Sequence, residues 1–190
     1  MTRTFIALEM NEALQRHLSG FIHQVAPVLP AMKWVDPQGI HLTLAFLGEL
    51  DDEQLVEVSA AAYEAAQQAS AFTYRLTKPG IFGSPRQPRV LWMGIEERTG
   101  FLLQLHQLLQ EQLSQRAFPI DTRPFSPHLT LARGKAPLSP QEYTELQKIL
   151  NHPPRPSKTY PAAHLHIMKS ELTPTGALYT RLQAYSLVNA

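Results

Sequence analysis

Apolar and polar residues follow two periods along the chain, and these periods predict the order of strands and helices. Short runs that alternate every second residue and are rich in β-branched or aromatic side chains predict strands. The predicted strands are 3–8, 34–35, 40–47, 72–76, 90–95, 129–133, 160–169 and 179–188. Longer runs with apolar side chains every three or four residues predict helices. The predicted helices are one capped by Asn11 that ends near Gln24, one capped by Asp51 or Asp52 that ends near Ser70, one that starts at Thr99 and includes Leu113, and one capped by Ser139 that ends near Leu150.

Proline and glycine separate these runs from one another. Clusters of the two residues predict loops at 77–89 and 119–127, and the first loop is basic because it carries Arg86 and Arg89. A turn is predicted at 174–176, and the prolines between 153 and 156 are expected to end the last helix. No polar linker divides the chain, so we expect one domain over residues 1–190.

The order of the predicted elements recurs. A strand, a helix and then a strand that begins HLTLA occur near the start, with the motif at 41–44, and again in the second half, with the motif at 128–131. A repeated segment is typical of an internal duplication. We therefore predict a pseudo-duplicated α+β domain with a cleft between two related lobes.

Strand periodicity gives the twin motif a geometric meaning. Residues i and i+2 of a strand project to the same face, so His41 and Thr43 project together, as do His128 and Thr130. The leucines between them point the other way, into the core. If the two strands face one cleft, two imidazoles and two hydroxyls converge on one small volume.

Such a set of side chains suits a phosphate. The hydroxyls can donate to non-bridging oxygens, a neutral histidine can take a proton from water, and a protonated histidine can give one to the leaving oxygen. General acid–base catalysis of this kind contributes roughly 10²- to 10⁴-fold, and it needs no metal. A single histidine on a strand is more often a hydrogen-bonded structural residue, but two copies flanked by apolar positions favour a phosphoesterase site. The near-symmetric motifs leave open which histidine is the acid.

Composition and charge restrict the class of protein. The chain has 17 basic and 16 acidic residues, which is not the strong basic stripe of a protein that coats duplex nucleic acid. A small ligand, or one nucleotide at a strand end, fits this balance better. The absence of cysteine excludes disulfides, thiolate nucleophiles and cysteine zinc sites. The first residues lack the apolar core of a signal peptide, and no apolar run is long enough to span a bilayer, so we expect a soluble, cytoplasmic protein.

Two arginines near the second motif are candidates for phosphate binding. Arg133 follows Thr130 by three positions, so on a regular strand it would face away from His128. A bulge or a strand end would turn it back toward a phosphate, and an ordinary surface arginine is the alternative. Arg123, just before the motif, leaves the same two possibilities open.

Aromatic residues beside the motifs could stack on a nucleobase. Phe125 lies in a predicted loop and is the stacking candidate, whereas Phe5 and Phe46 are expected to pack in the core. His164 and His166 form an H-x-H pair on a predicted strand, but no third ligand stands nearby in the sequence. We therefore expect a solvent-facing or structural role for this pair and no metal site.

With both motifs identified, the chain resembles the 2H phosphoesterase superfamily, and more closely the bacterial RNA 2′,3′-cyclic phosphodiesterases, also called 2′-5′ RNA ligases. The similar segments are RTFIAL, HLTLAFLG, PRVLWMG, RPFSPHLTLAR and SELTPTGALYTRL, so the resemblance extends over nearly the whole chain. It implies two pseudo-symmetric lobes, each an antiparallel sheet with outer helices, around a central cleft.

The resemblance also implies a reaction. A terminal 2′,3′-cyclic phosphate would open to a 2′-phosphomonoester, with His41 as the proton donor to the 3′ oxygen and His128 as the proton acceptor from water. No cofactor is implied. The expected partners are RNA 3′ ends that carry a cyclic phosphate, with tRNA halves as one such class, and neither a membrane nor an obligatory protein partner is expected. With a 5′-hydroxyl in place of water, the same site would form a 2′-5′ linkage.

Two other functions stay open at this point. The same site could act on a cyclic phosphate of a small nucleotide or of an ADP-ribose derivative, and the loops at 77–89 and 119–127 are expected to decide between substrates. Their basic residues favour an oligonucleotide. A module that binds RNA ends without turnover is the alternative outside enzymes, and the presence of both motif histidines argues against it.

Overall fold

The structure is a computed structural model that describes residues 1–151, 158–174 and 176–188, and for Glu9 the backbone alone. The helices are α1 (Glu12–Val25), α2 (Asp52–Gln68), α3 (Phe101–Gln115) and α4 (Pro140–Asn151), with short 3-10 helices at Ala26–Val28 and Pro37–Gly39. The strands are β1 (Thr2–Glu9), β2 (Met32–Trp34), β3 (His41–Leu50), β4 (Phe72–Ser84), β5 (Gln87–Glu96), β6 (His128–Gly134), β7 (Thr159–Ala162), β8 (His164–Leu172) and β9 (Ala177–Ser186).

Polar side chains cap three of the helices where the sequence predicts them to begin. The side chain of Asn11 accepts a hydrogen bond from a backbone N–H in the first turn of α1, and Asp51 does the same for α2. Ser139 Oγ accepts the N–H of Glu142 at the start of α4. These caps satisfy N–H groups that have no partner inside the helix, and the predictions at the three positions are confirmed.

The start of α3 differs from its prediction at Thr99. The helix begins at Phe101, after Gly100, whose φ of 85° lies in the left-handed region that favours glycine. The carboxylate of Glu97 accepts the N–H of Thr99 at 2.5 Å and the N–H of Leu102 at 3.2 Å. The Glu97 carboxylate thus accepts an N–H group of the first turn of α3, and the predicted start at Thr99 lies two residues too early.

The strands form two antiparallel sheets. The first has the order β3-β1-β8-β9 and the second the order β2-β6-β5-β4-β7. In each sheet the motif strand pairs with the strand that precedes it in the repeat, β3 with β1 and β6 with β5. β3 also contacts β6, so the two motif strands lie side by side where the sheets meet. This α+β architecture agrees with the predicted fold class.

The predicted loop at 77–89 is wrong. β4 continues to Ser84 and β5 starts at Gln87, so the segment is a hairpin with a tight turn. Pro79 and Gly83 adjoin irregular positions of the ladder, because the register shifts between Leu76 and Pro79 and again between Phe82 and Gly83, whereas Gly80 pairs regularly with Trp92. Bulges accept residues that a regular strand excludes, which is why composition alone predicts a loop there.

The predicted single strand at 160–169 is also wrong. The segment contains β7 and β8, which belong to different sheets, with Ala163 between them. β7 lies at the edge of the second sheet, where Pro161 costs no ladder hydrogen bond on the open side. The predicted turn at 174–176 includes Thr175, and the prolines expected to end α4 lie at 153–156, so these two predictions fall outside the described residues.

Helices cover the sheets on the faces that carry the core. α2 lies on β8 and β9 and against α3, and α4 contacts β4. Four alanines of α2 are fully buried, which lets the helix approach the sheet closely; they are Ala61, Ala62, Ala65 and Ala66. No helix in the described part of the chain is long and apolar enough to cross a bilayer.

Candidate active site

Both motifs open onto one cavity at the junction of the two sheets. His41 and Thr43 of β3 line it from one side, and His128 and Thr130 of β6 line it from the other. The cavity is small, and the empty space in and directly above it, open solvent included, amounts to about 380 Å³. Its remaining lining residues are Val35, Gly39, Ile40, Arg133 and Tyr179. The structure therefore brings together the four side chains that the periodicity of the motifs predicts to converge.

Larger cavities exist elsewhere, but they lack this chemistry. One of about 1320 Å³ lies between the start of α2 and the end of α3 and is lined by Glu53, Glu57 and Arg116, with no histidine. Size alone would therefore locate the site wrongly. The smaller cavity is the one with paired imidazoles and hydroxyls, which are the groups that general acid–base catalysis requires.

The two motif histidines make the same hydrogen bond. His41 Nδ1 lies 2.8 Å from the carbonyl oxygen of Gly39, and His128 Nδ1 lies 2.7 Å from that of Ser126. A carbonyl only accepts, so each Nδ1 carries the proton and donates. In both imidazoles Nε2 is then the nitrogen that would exchange a proton with a substrate. The structure thus presets the tautomer at both positions through the residue two places earlier.

Aromatic rings hold each imidazole in place. Phe5 of β1 stacks on His41 with ring centroids 4.5 Å apart, and Tyr179 of β9 meets His41 edge-on at 4.9 Å. On the other side, Phe82 of β4 meets His128 edge-on at 5.0 Å, and Trp92 of β5 lies 6.1 Å from it. Such pairs restrict ring rotation and add about 0.5–1.5 kcal/mol each beyond the area they bury.

A β-bulge at the same place in both motif strands changes which residues share a face. In β3 the register with β1 skips Leu44, and in β6 the register with β5 skips Leu131. Each bulge shifts the alternation by one residue. Arg133 consequently turns to the face of Thr130 and lines the cavity. This is the orientation expected for Arg133 if a bulge interrupts the strand. The corresponding residue of β3 is Phe46.

Arg123 and Phe125 do not line the cavity. Arg123 Nε donates to Asp121 Oδ1 at 2.9 Å in the loop before β6, and this guanidinium lowers the pKa of the Asp121 carboxyl to about 2. The ring of Phe125 stacks on His106 of α3 at a centroid distance of 3.9 Å. Burial lowers the pKa of His106, against a smaller opposing effect of the Asp121 charge.

The structure also shows the burial and neighbours of three other residues considered from the sequence, namely Phe5, Phe46 and His166. Phe5 is 3% exposed, so its predicted place in the core is confirmed, although one face of its ring meets His41. Phe46 is 56% exposed, which contradicts the core prediction, and the guanidinium of Arg3 lies 5.0 Å from its ring centroid. His166 is buried, and no group of three potential metal ligands occurs among the residues that the structure describes.

Sequence reasoning missed the aromatic residues that surround the histidines. Tyr179 lies 48 residues after the end of the second motif and reaches the cavity only because β9 joins the first sheet. Phe82 lies in the segment predicted as a loop, and Trp92 lies in the predicted strand 90–95, whose partner strand the sequence pattern does not reveal. Trp92 does stand in a segment that carries the family resemblance, PRVLWMG, and that segment was the available indication.

Comparison with known proteins identifies a family model and several relatives that are similar to this chain. A family model described as the 2′-5′ RNA ligase superfamily matches residues 11–174. An RNA 2′,3′-cyclic phosphodiesterase of Thermotoga maritima is 31% identical over 177 residues, which are 93% of this chain and 91% of that protein. One of Thermus thermophilus is 33% identical over 192 residues, with 97% of this chain and 90% of the relative covered.

Solved structures share the fold over nearly its whole length. TT0787 of Thermus thermophilus superposes with a TM-score of 0.79 at 31% identity, and E. coli LigT in complex with 3′-AMP superposes with a TM-score of 0.77 at 26% identity. In both cases the match covers 98% of each chain. The predicted arrangement of antiparallel sheets around a cleft is confirmed by these likenesses.

Proposed function

Since this chain belongs to the 2′-5′ RNA ligase superfamily, we propose that it is an RNA 2′,3′-cyclic phosphodiesterase that uses His41 and His128 as its acid–base pair. The relatives named as such phosphodiesterases match this chain over nearly its whole length. The observation that carries the proposal is the single cavity onto which both motifs open, with each Nδ1 bound to a carbonyl. The predicted enzyme class, a hydrolase of cyclic phosphodiesters, follows from the same relationship.

The reaction needs one proton taken and one proton given. Water attacks the phosphorus of the cyclic phosphate, His128 Nε2 takes a proton from that water, and the bond from phosphorus to the 3′ oxygen breaks. His41 Nε2 gives a proton to the leaving 3′ oxygen. The products are a 2′-phosphomonoester and a 3′-hydroxyl, so atoms and charge balance without a metal or a cofactor.

The roles of acid and base follow the family resemblance, and two contacts support them. The hydrogen bond of His128 is exposed to solvent, which suits the histidine that takes a proton from water. The hydrogen bond of His41 is partly buried, and Phe5 and Tyr179 flank its ring. Aromatic rings flank both imidazoles and do not distinguish the two roles, so the assignment rests on the resemblance and on this difference in exposure.

The phosphate is expected to lie between the two strands. Thr43 and Thr130 would donate their hydroxyl protons to non-bridging oxygens, and Arg133 would add a charge-assisted contact from the edge of the cavity. Arg123 and Phe125 stay predictions as phosphate and base contacts. Because both have partners within or beside their own loop, we assign the phosphate to the residues that line the cavity.

The same geometry accommodates ligation. A 5′-hydroxyl that replaces water would attack the phosphorus in the same direction and leave a 2′-5′ linkage, with the two histidines in the same roles.

We further propose a cytoplasmic protein that acts on RNA 3′ ends, tRNA halves among them, without an obligatory protein partner. In this proposal residues 1–190 form one bilobal domain that arose by internal duplication, and the matching bulges in β3 and β6 support it.

A terminus assay tests the function. An RNA that ends in a 2′,3′-cyclic phosphate is incubated with the protein in EDTA, and the end is mapped as cyclic, 2′-phosphate or 3′-phosphate. We expect the wild type to yield 2′-phosphate, His41→Ala and His128→Ala to leave the ring closed, and His23→Ala, an exposed histidine of α1, to act as wild type. An intact ring with the wild type would overturn the activity, and a 3′-phosphate product would overturn the direction of opening.

A leaving-group substitution separates acid from base. In a substrate with sulfur in place of the bridging 3′ oxygen, the thiolate leaves without a proton, so the general acid matters little. We expect His41→Ala to recover most of its lost rate on this substrate, whereas His128→Ala stays slow on both. The reverse pattern would exchange the two roles and leave the acid–base pair itself intact.

A further inference from the structure

The carbonyl that orients His128 lies in a segment with few backbone hydrogen bonds. Residues 119–127 directly precede β6, and His128 Nδ1 donates to the carbonyl of Ser126 in this segment. Pro124 and Pro127 stand on either side of that carbonyl and have no N–H to donate. Among the described residues, no backbone hydrogen bond joins the segment, as far as Ser126, to another element. Side chains must therefore hold this carbonyl in place.

The corresponding carbonyl of the first motif is fixed by the backbone itself. Gly39, whose carbonyl accepts from His41, ends the 3-10 helix Pro37–Gly39. The N–H of Gly39 donates to the carbonyl of Asp36 at 2.8 Å, and the Asp36 side chain accepts the N–H of Gln38 at 2.9 Å. A short hydrogen-bonded turn thus holds the partner of His41, whereas the described residues before His128 form no such turn.

A ring stack anchors the segment before His128 to α3. Phe125 lies flat on His106 of α3, with ring centroids 3.9 Å apart and an angle of 13° between the ring planes. Phe125 and Pro127 are the only residues of 119–127 that are not exposed, and Phe125 also packs against buried core residues. The segment is therefore attached to the helix at the residue next to Ser126.

The ring on α3 is a neutral imidazole near pH 7. Burial lowers the pKa of His106, and the charge of Asp121 opposes this effect only in part. Two uncharged planar rings at this distance attract each other beyond the area that they bury. The contact with Phe125 thus depends on the flat shape of the imidazole and not on its charge, so His106→Phe would preserve it.

We propose that His106 is a positioning residue for the general base, since its stack with Phe125 holds the Ser126 carbonyl where it fixes the Nδ1–H tautomer of His128. The proposal rests on the proposed function, because it takes His128 Nε2 to accept the proton from water. If the segment shifts, the carbonyl no longer requires a proton on Nδ1, and the proton can occupy Nε2 instead. A neutral imidazole with its proton on Nε2 cannot accept another proton there. His106 would thus set the fraction of enzyme molecules that are ready for catalysis.

Kinetics on a short RNA with a 2′,3′-cyclic phosphate test this role. An aromatic pair shifts a local equilibrium about 2- to 12-fold, so we expect His106→Ala to lower kcat by about that factor. KM should stay close to the wild-type value, because other residues bind the phosphate. His106→Phe keeps a flat ring and should restore most of kcat. The matched control is His17→Ala, which removes a partly buried helix histidine that contacts Tyr160 of β7 instead of this segment.

The tautomer of His128 is a readout that a purely structural role would not change. In protein labelled with ¹⁵N-histidine, at a pH above the ordinary histidine pKa of about 6.5, multiple-bond ¹H–¹⁵N spectra show which nitrogen of each imidazole carries the proton. We expect His106→Ala to change His128 from the Nδ1–H form to a mixture of tautomers, and His106→Phe to restore the Nδ1–H form. His41 should keep its tautomer in every variant, because its carbonyl partner lies in a hydrogen-bonded turn.

Every other outcome has a defined meaning. If His106→Ala leaves either kcat or the tautomer of His128 unchanged, the proposal is wrong. It is also wrong if both motif histidines change tautomer together, since the effect is then general, or if His106→Phe restores nothing. Should thermal unfolding show that His106→Ala does not fold, Phe125→Leu removes the stack from the other side and must give the same selective change. If the wild type opens no cyclic phosphate, the proposed function fails, and the spectra still decide whether His106 positions His128.

Discussion

Replacing Thr43 or Thr130 by valine removes one hydroxyl from the cavity and leaves the strand otherwise intact. Valine has the same branched shape and favours β structure. Neither hydroxyl makes a hydrogen bond within the part of the chain that the structure describes, and both residues reach solvent through the cavity. No buried protein group therefore loses a partner in either variant, so the free energy of unfolding should change little.

The effect on activity is expected to be large by comparison. A hydrogen bond to a charged group contributes about 1.5–3 kcal/mol, and each 1.4 kcal/mol is about tenfold in rate. Each single substitution should therefore lower kcat/KM about 10- to 150-fold. If both hydroxyls hold the same phosphate, the double variant should deviate from additivity, since neighbouring contacts to one group are coupled.

Initial rates on a short RNA with a 2′,3′-cyclic phosphate measure kcat/KM, and thermal unfolding measures the stability of each variant. Thr73→Val serves as a control, because this exposed threonine of β4 lies outside the cavity. Unchanged kcat/KM in both Thr43→Val and Thr130→Val would refute the reasoning that these hydroxyls bind the phosphate. A large fall in the unfolding temperature would instead show that they contribute to the fold.

Two further predictions concern an arginine and a buried carboxylate. Arg133→Gln should lower kcat/KM about 10- to 100-fold through loss of a charge-assisted contact, and Arg133→Lys should recover only part of it because lysine lacks the planar fork; equal rates in all three proteins would exclude a phosphate contact. The carboxylate of Glu142 accepts the N–H of Ser139 at 2.8 Å and that of Ala31 at 2.7 Å, which lowers its pKa. This contribution to stability is present above the unfolded pKa, about 4.3, and is lost as pH falls through the lower folded pKa. Glu142→Gln leaves one N–H unsatisfied and should lower the free energy of unfolding, measured in urea at pH 7, by about 1–3 kcal/mol. It should also weaken the loss of stability at acidic pH, and a variant whose stability depends on pH as in the wild type would contradict this account.

Local periodicity was sufficient to predict the core of the site. His41 and Thr43, and likewise His128 and Thr130, share a face because the first three residues of each motif form a regular strand. The orientation of Arg133 depends on the bulge at Leu131, whose position is set by pairing with β5. Pairing is a tertiary property, which is why the sequence left the role of this arginine open.

The errors in the fold have a related cause. Pro79, Gly80 and Gly83 resemble loop residues in composition, yet Gly80 belongs to the sheet because an indole from β5 needs the space. Phe46 looks like a core residue by hydrophobicity, but the bulge in β3 turns it to the exposed face. In each case a partner from a distant part of the sequence decides the outcome, and single-sequence patterns do not contain that information.

The central claim is that His41 and His128 act together as one acid–base pair, and a double-mutant comparison of kcat tests it most directly. Groups that act as a unit show non-additive losses. We predict that His41→Ala and His128→Ala each lower kcat by roughly 10²- to 10⁴-fold and that the double variant falls little further. Losses that multiply in the double variant, or a single variant that keeps the wild-type rate, would contradict the claim.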